Sequence, residues 1–264
     1  MLQFKTIYGE LDVELYDQDK PVTVRNFLRY LTNSDFNDNF FYRCQPGFVL
    51  QGGGIYNPYP LDTHPFTNYL TVTPFPNISN EAWSGVHYSN NFGTIAMATA
   101  SGNPNSASQA FFFNLANNGG PPNYLDAPTN NGGYTVFGHI ISANSTNVLN
   151  WINANLYYGG YGIVDLGGAL STCPVNYFGD VAPNNNQLSY FTISLLKARV
   201  TTTNNTRVIS WNTLYGLTNF VEYATNLPPK WQTLTNLIGT GFQTNVVDSS
   251  TNKPGRFYRI RISH

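Results

Sequence analysis

The segment that most constrains the fold of this chain is residues 40–54, which read FFYRCQPGFVLQGGG. Its first part alternates in the way that side chains of a β-strand alternate between the two faces of a sheet. This pattern predicts that Phe41 and Arg43 face one side of the strand, and that Tyr42 and Cys44 face the other. A strand of this kind needs a partner, and the residues that follow supply one.

The tripeptide Gln45-Pro46-Gly47 predicts a tight turn, since Pro fixes one backbone dihedral and Gly accepts a positive one. A second strand over 48–51 leaves the turn and ends in the glycines 52–54, where backbone can approach a partner without interference from Cβ atoms. The predicted hairpin therefore sets the cation Arg43 and the amide Gln51 among apolar side chains. Taken alone, it also fits a buried structural hairpin with two polar residues at its rim.

Three further blocks follow in the chain: GTIAMATA over 93–100, SASQAFFFNLANN over 106–118, and YLD with YTVFG within 124–138. With the hairpin, and in this order, they resemble the cyclophilins, the peptidyl-prolyl cis-trans isomerases, whose signature reads FHRxxPGFxxQGG. The resemblance implies a mainly β fold, a closed antiparallel eight-stranded β-barrel capped by two helices. It also implies an isomerase that needs no cofactor and no metal ion.

The resemblance assigns roles to individual residues of this chain. It implies that Arg43 is the catalytic guanidinium and that Gln51 positions it and binds the substrate carbonyl. It implies a substrate-binding set of ten residues. These are Phe48, Val49, Met97, Ala98, Thr99, Ala110, Phe112, Tyr124, Leu125 and Tyr134. Tyr134 stands where bacterial members also have Tyr, which favours the bacterial branch.

One position departs from the family pattern. An ungapped comparison of the third block with the bacterial pattern SATSQFFINVADN puts Ala110 where a second substrate-binding Gln is usual. Shifting the block by one restores Gln109 but needs an insertion beside the three phenylalanines at 111–113. The ungapped version is preferred, and it predicts weaker peptide binding, by about 1 kcal/mol for one lost hydrogen bond.

The pattern of apolar residues predicts the flanking elements. Alternation predicts a hairpin over 3–16, and apolar positions at helical spacing after Pro21 predict a first helix with Thr23 as its N-cap. A second helix is predicted over 147–156, and a strand that closes the sheet over 191–199.

Two excursions and a tail remain outside this pattern. Residues 56–75 and 157–187 are rich in Gly, Asn, Pro and Tyr, and they predict insertions into the barrel fold. The polar run 201–206 predicts a linker between an isomerase domain, 1–200, and an all-β tail, 207–264. The tail weakly resembles small β-sandwich modules of fibronectin type III character.

The composition limits the partners. Charged residues make up 10% of the chain and the formal net charge is −1, so electrostatics give no case for nucleic acid or an anionic membrane. No apolar run is long enough to span a bilayer. The low Lys content and the Asn- and Thr-rich composition suggest an exported bacterial protein, periplasmic or extracellular, whose leader was removed; a cytoplasmic location stays open.

The cysteines and histidines suggest no metal site. Cys44 and Cys173 lack a spacing motif and fit two free thiols better than a disulfide. The four histidines have no metal-ligand spacing. The sequence therefore predicts an isomerase that acts on proline-containing peptides or unfolded chains. The alternative is a proline-peptide binding module with little turnover, attached through its β tail to a surface or a protein partner.

Overall fold

The computed structural model describes residues 1–158, 161–178, 182–196, 198–203, 206–214, 216–249 and 255–263. The chain divides into two compact units, Met1–Ser194 and Leu195–His264.

The helices are α1 (Pro21–Thr32) and α2 (Ala143–Asn155). The strands up to the end of the first unit are β1 (Leu2–Thr6), β2 (Gly9–Leu15), β3 (Arg43–Gln45), β4 (Val49–Gly52), β5 (Ile55–Tyr56), β6 (Leu70–Thr71), β7 (Thr94–Met97), β8 (Phe111–Asn114), β9 (Val136–Ile140), β10 (Tyr157–Tyr158), β11 (Tyr161–Val164), β12 (Cys173–Phe178) and β13 (Phe191–Leu195). The strands of the second unit are β14 (Arg199–Thr203), β15 (Thr206–Asn212), β16 (Thr218–Ala224), β17 (Gln232–Ile238), β18 (Gln243–Asp248) and β19 (Phe257–Ser263).

Eight strands form one antiparallel sheet in the order β13-β1-β2-β9-β7-β8-β4-β3. Its two edges meet through the segments just before β3 and β13. Phe40 forms an antiparallel bridge with Tyr190, and the N–H of Phe41 donates to the carbonyl of Ser189 at 2.9 Å. The predicted eight-stranded antiparallel sheet with two helices is confirmed. Within the described part of the chain, this bridge rather than a full ladder joins its edges.

Aromatic rings fill the inside of the curled sheet. The ring of Phe4 lies 5.6 Å from that of Phe111 and 5.2 Å from that of Phe113, and Phe191 lies 5.8 Å from Phe111. Phe112, between the two inward rings of β8, faces the outside, where it is only 4% exposed. Both faces of this segment are therefore covered.

Helix α1 begins without a local side-chain cap. Lys20 occupies the N-cap position, so the prediction of Thr23 as the N-cap is wrong. Thr23 lies inside the first turn, where the carboxylate of Glu81 accepts from the backbone N–H groups of Val22 and Thr23 at 3.2 and 2.8 Å. A distant carboxylate satisfies the free N–H groups of this helix end, so the local sequence needs no capping residue.

Helix α2 begins earlier than the predicted start at Asn147. Its N-cap is Ser142, whose hydroxyl accepts from the N–H of Ser145 at 3.1 Å. Ser142 is a typical capping residue, so the helix starts at Ala143.

The two excursions, 56–75 and 157–187, build a second apolar core beside the sheet. We call it the second core; its buried members are Phe40, Tyr42, Ile55, Phe66, Leu170, Cys173, Val175 and Leu188. Phe66 comes from the first excursion, and Leu170 and Val175 come from the second. The excursions therefore pack on each other and on the segment that leads into β3. Residues 159–160 and 179–181 of the second excursion lie outside the described part.

Both cysteines lie inside the first unit. Cys44 and Cys173 are fully buried, and each is a free thiol.

The tail consists of two three-stranded sheets, β14-β15-β18 and β17-β16-β19. Both sheets contribute to one core, in which Ile209, Trp211 and Val221 are buried and Tyr258 and Ile260 pack against them. The expected β tail is present. Two large aromatic residues of the tail lie outside this core: Phe257 is 46% exposed, and the ring of Trp231 lies under the guanidinium of Arg259 at 4.4 Å.

The predicted linker 201–206 is wrong. Strand β14 contains Thr201–Thr203 and pairs antiparallel with β15, which begins at Thr206. Threonine is β-branched and fits a strand well, so this polar run forms part of a hairpin; residues 204–205 lie outside the described part. The division between the two units falls between residues 194 and 195 instead, inside the predicted closing strand.

Candidate active site

Five residues form a row across the outer face of the sheet. Arg43 of β3 pairs with Gln51 of β4, and Gln51 pairs with Phe112 of β8. Phe112 pairs with Ala96 of β7, which pairs with Val136 of β9. Residues opposite each other in an antiparallel sheet point to the same face. The register therefore brings a cation, an amide and apolar side chains together.

A β-bulge lies where the chain enters this row. The N–H of Tyr42 donates to the carbonyl of Gln51 at 3.0 Å, although the ladder already pairs Arg43 with Gln51. Two residues of one strand thus oppose one residue of the other, and a bulge of this kind redirects side chains. Phe41 packs inside the sheet against Phe191, with ring centroids 4.7 Å apart.

The predicted alternation of this segment is therefore wrong: Phe41 and Arg43 lie on opposite faces, and the residue that shares the face of Arg43 is Tyr42. Its hydroxyl lies 2.6 Å from Nε2 of Gln51, next to Arg43 and not on the opposite face. Regular alternation holds only where the ladder is regular, and the bulge shifts the pattern by one residue.

A cavity of about 170 Å³ lies over the row. Nine of the sequence-predicted site residues line the cavity. These are Arg43, Phe48, Val49, Gln51, Ala98, Thr99, Phe112, Leu125 and Tyr134.

The cavity floor is an apolar cluster. Val49, Ala96, Phe112, Leu125 and Val136 are each buried to 5% exposure or less. The side chain of Tyr134 closes one side, with its ring 5.9 Å from that of Phe112 in an edge-on arrangement. A floor of this kind favours an apolar ligand group over a polar one.

Arg43 reaches over this apolar floor. Its Nη1 lies 3.4 Å from Oε1 of Gln51 and its Nη2 lies 3.2 Å from Oε1 of Gln45, while the guanidinium lies 5.6 Å from the ring of Phe48. Within the described residues, no carboxylate forms a salt bridge with Arg43. Two neutral amides therefore orient the cation and leave its charge uncancelled. The contact with Gln45 was not predicted from the sequence.

Gln51 is held at both ends of its amide. Oε1 accepts from Arg43 and Nε2 donates to the hydroxyl of Tyr42. Burial raises the pKa of Tyr42 to about 12, so the phenol is neutral at physiological pH. Sequence reasoning missed Tyr42 as a site residue, because strand alternation predicts that it points away.

Asp126 fixes the loop that supplies Leu125. Its Oδ1 accepts from both the backbone N–H and the Nδ2 of Asn90, each at 2.9 Å, and its Oδ2 accepts from Ser89 at 2.5 Å. The carbonyl of Leu125 also accepts from the N–H of Tyr134 at 2.9 Å. Asp126 belongs to the YLD block of the sequence, but its positioning role was not predicted.

Three predicted site residues do not line the cavity. Met97 is 1% exposed and pairs with Phe111 on the ladder, and Tyr124 is 50% exposed. The carbonyl of Ala110 accepts from the N–H of Ala98 at 3.0 Å, next to the cavity rim. Phe112, and not Phe113, lies at the cavity.

Two other kinds of site find no support in the described residues. No cluster of three or more His, Cys, Asp or Glu side chains there is arranged to hold a metal ion. No helix among them is long and apolar enough to cross a membrane.

Comparison with known proteins identifies the family. Residues 1–160 match the family of cyclophilin type peptidyl-prolyl cis-trans isomerases. A peptidyl-prolyl cis-trans isomerase of Acinetobacter baylyi is 38% identical over 141 residues, which are 53% of this chain and 66% of that protein. Peptidyl-prolyl cis-trans isomerase B of Escherichia coli is 33% identical over 141 residues, 53% of this chain and 77% of its own.

A related protein from Dickeya dadantii shares 36% identity over 63% of its length, so the chain spans a little less than two thirds of this relative and of the Acinetobacter one. Among solved structures, a Cryptosporidium parvum cyclophilin crystallised with the dipeptide Ala-Pro gives a TM-score of 0.46 at 20% identity. The match covers 74% of this chain and 97% of that one.

The family match spans more than half of the chain. It also contains the hairpin, the three further sequence blocks and every residue that lines the cavity. The chain belongs to the cyclophilin-type peptidyl-prolyl cis-trans isomerase family.

Proposed function

We propose that this chain catalyses rotation about X–Pro peptide bonds, and that the activity lies in the first unit, residues 1–194. The observation that carries the proposal is the position of Arg43. Its guanidinium lies at the rim of an apolar cavity, held by the amides of Gln51 and Gln45, with no salt bridge to a described carboxylate.

The chemistry needs a positioned cation and an apolar pocket. Rotation about a peptide bond breaks amide resonance, at a cost of about 18–20 kcal/mol. In the twisted transition state the imide nitrogen regains its lone pair and accepts a hydrogen bond that the planar ground state cannot accept. Arg43 then stabilises the transition state selectively, which lowers the barrier. Arginine suits this role because it stays charged and presents a rigid set of donors.

The cavity holds the proline while the preceding carbonyl turns. We assign the pyrrolidine ring to the apolar residues that line the cavity, Phe48, Val49, Phe112 and Leu125, a surface that is largely preformed. No step of this rotation needs a nucleophile or a cofactor, because no covalent bond is made or broken.

The remaining assignments concern the peptide on either side of the proline. Ala98 and Thr99 lie at the cavity rim, where their backbone groups can bind an extended peptide, and Tyr134 closes the far side. We assign Met97, Ala110 and Tyr124 to the same peptide-binding surface on the family resemblance. Of the three, Ala110 is nearest the rim, beside Ala98.

Two-dimensional exchange NMR on a peptide that contains one Ala-Pro bond tests the activity. The protein at about one hundredth of the peptide concentration is expected to produce cis–trans exchange cross-peaks that the free peptide lacks, since uncatalysed exchange takes tens of seconds or more. Peptide resonances that shift without faster exchange would instead support the alternative, a proline-peptide binding module with little turnover.

The charge of the tail favours a second role, attachment to an anionic partner. Residues 195–264 contain eight Lys or Arg and two Asp or Glu, a formal charge of +6. Residues 1–194 contain five Lys or Arg and twelve Asp or Glu, which gives a formal charge of −7. The net charge of the whole chain hides this contrast. We propose that the tail binds an acidic surface polymer, since a basic module attracts polyanions over several ångströms.

Retention on a dextran sulfate column tests this second role. The double variant Arg199→Gln/Lys230→Gln removes two exposed positive charges of the tail and is expected to elute at clearly lower salt. The matched control Lys5→Gln/Arg25→Gln removes two exposed charges of the first unit and should elute close to wild type. Equal shifts for both double variants would contradict attachment through the tail.

We propose three further assignments. The two sheets with one shared core support a fibronectin type III-like tail. Similarity to proteins of Acinetobacter and Escherichia coli supports the bacterial branch. The Asn- and Thr-rich composition supports export, and immunodetection in the medium, periplasm and cytoplasm of the source cells would test it.

A further inference from the structure

We infer that Tyr42 is a positioning residue for the proposed isomerisation, acting on Arg43 through Gln51. The inference rests on the proposed function and adds to it a residue at which this chain differs from the family signature, since FHRxxPGF has His where Tyr42 stands. It also links the active site to the second core that the two excursions build.

The donors and acceptors define the orientation of the Gln51 amide. A guanidinium can only donate hydrogen bonds, so Oε1 of Gln51 must be the atom that faces Arg43, at 3.4 Å. Nε2 then faces the hydroxyl of Tyr42 at 2.6 Å, and this hydroxyl must accept. Without an acceptor at that position, the amide would lose the bond that favours this orientation over the flipped one.

The bulge at Tyr42 makes the contact possible. The backbone N–H of Tyr42 donates to the carbonyl of Gln51 at 3.0 Å, and its side chain meets the amide of the same residue. Tyr42 is therefore joined to Gln51 twice, once through the backbone and once through the side chain. A regular strand would turn the phenol to the opposite face.

The second core holds the ring of Tyr42 in place. Tyr42 is 7% exposed and packs in one cluster with Phe40, Ile55 and Phe66. The packed ring has little rotamer freedom, so its hydroxyl is preorganised for Gln51 at small further cost in entropy. The excursions 56–75 and 157–187 thus support the catalytic amide from behind, although they do not line the cavity.

A double-mutant cycle tests the inference. Tyr42→Phe removes the acceptor and keeps the ring, and kcat/KM for an Ala-Pro peptide is expected to fall about five- to tenfold, the value of one hydrogen bond. In a Gln51→Ala background the same change is expected to alter kcat/KM less than about twofold, because the group that Tyr42 positions is absent.

The matched control is Tyr190→Phe. Tyr190 packs against the same second core, and its hydroxyl donates to the carbonyl of Asn185 at 2.9 Å, away from Gln51. This variant removes an equivalent hydroxyl from the same cluster but leaves the hydrogen bonds of the Gln51 amide intact. We therefore expect kcat/KM to stay within about twofold of wild type.

A spectroscopic readout separates this inference from the proposed function. The Nε2 side-chain signals of Gln51 in a ¹H–¹⁵N spectrum are expected to shift in Tyr42→Phe and not in Tyr190→Phe, whether or not the protein turns over peptide. Unshifted Gln51 signals, or an equal loss of kcat/KM with and without Gln51, would overturn the role of Tyr42. An inactive wild type with the expected shift would overturn the proposed function alone.

Discussion

Arg43 and Gln51 lie directly opposite each other on β3 and β4, with Nη1 of the guanidinium 3.4 Å from Oε1 of the amide. The pairing is a property of the hairpin itself, since the turn at residues 45–47 sets the register of its two strands. The carbonyl of Gln45 accepts from the N–H of Phe48 at 2.9 Å across that turn. The turn therefore places the amide next to the cation.

Loss of this amide should weaken catalysis without unfolding the protein. Gln51→Ala is expected to lower kcat/KM at least tenfold, because Arg43 loses a partner that orients it and the peptide loses a donor, each worth about 1 kcal/mol or more. Gln45→Ala, which removes the other amide on Arg43, should cost less, since the Gln45 side chain is exposed. Steady-state assays with circular dichroism as a fold control measure both. A larger loss for Gln45→Ala would contradict the assignment.

Two glycines of the hairpin should differ sharply in their tolerance of alanine. Gly47 has φ +74° with nothing within 4 Å of an added Cβ, whereas Gly53 has φ +80° and an added Cβ would lie 2.4 Å from the carbonyl oxygen of Gln109. Gly47→Ala should lower the free energy of unfolding by about 1–2 kcal/mol, because only the left-handed backbone conformation opposes the new side chain. Gly53→Ala should lower the free energy of unfolding by at least about 2 kcal/mol more, because the added Cβ would displace the backbone at Gln109. Urea unfolding measures both; equal costs would refute the close approach.

The thiols should be inert in the folded protein. Burial raises the pKa of Cys44 to about 12 and raises that of Cys173 further, and the thiolate is the reactive form. We expect Ellman's reagent at pH 8 to detect no fast-reacting thiol in the native protein and two in guanidinium chloride. If the denatured protein shows no free thiol in the absence of a reductant, the two cysteines are paired.

Acid should destabilise the tail through Glu222. This carboxylate is 5% exposed; burial acts to raise its pKa, but the hydrogen bonds from Arg259 at 2.6 Å and Arg261 at 3.0 Å outweigh burial and lower it. The pKa of Glu222 is lower in the folded tail than in the unfolded chain, where it is near 4.5. The ionised carboxylate therefore stabilises the folded tail at pH values above 4.5. This contribution is lost as the pH falls through the pKa of the folded state.

Hydrogen exchange of the β16 and β19 amides from pH 6 to pH 3 measures this effect. In the wild type, the protection of these amides is expected to decrease once the pH is lower than 4.5. In Glu222→Gln, the protection should depend less on pH. Asp17→Asn, which neutralises an exposed carboxylate of the first unit, should leave the tail profile unchanged. An unaltered slope in Glu222→Gln would refute the linkage.

The fold of the first unit was predictable where the sequence carries regular patterns. The turn residues at 45–47 indicate a hairpin locally, and the three phenylalanines at 111–113 indicate a buried strand. The antiparallel sheet with two helices followed from their order and from the family resemblance. The start of α1 was not predictable, because its cap is Glu81, a residue that is distant in sequence.

The site was predictable in composition and less so in detail. The motifs contain all nine residues that line the cavity. They miss Tyr42, because a bulge that local alternation does not reveal turns it towards Gln51. Residues 201–206 show that a polar composition does not by itself mark a domain boundary, because three consecutive threonines fit a strand.

The measurement that bears most directly on the central claim compares wild type with Arg43→Ala by exchange NMR on an Ala-Pro peptide. The account predicts that kcat/KM falls by about two orders of magnitude or more, the usual loss when a transition-state donor is removed. The melting temperature should remain close to wild type, because Arg43 has no salt bridge among the described residues. Arg25→Ala, at an exposed Arg of α1, serves as the charge-matched control and should keep full activity. Equal rates for wild type and Arg43→Ala would contradict the proposed mechanism.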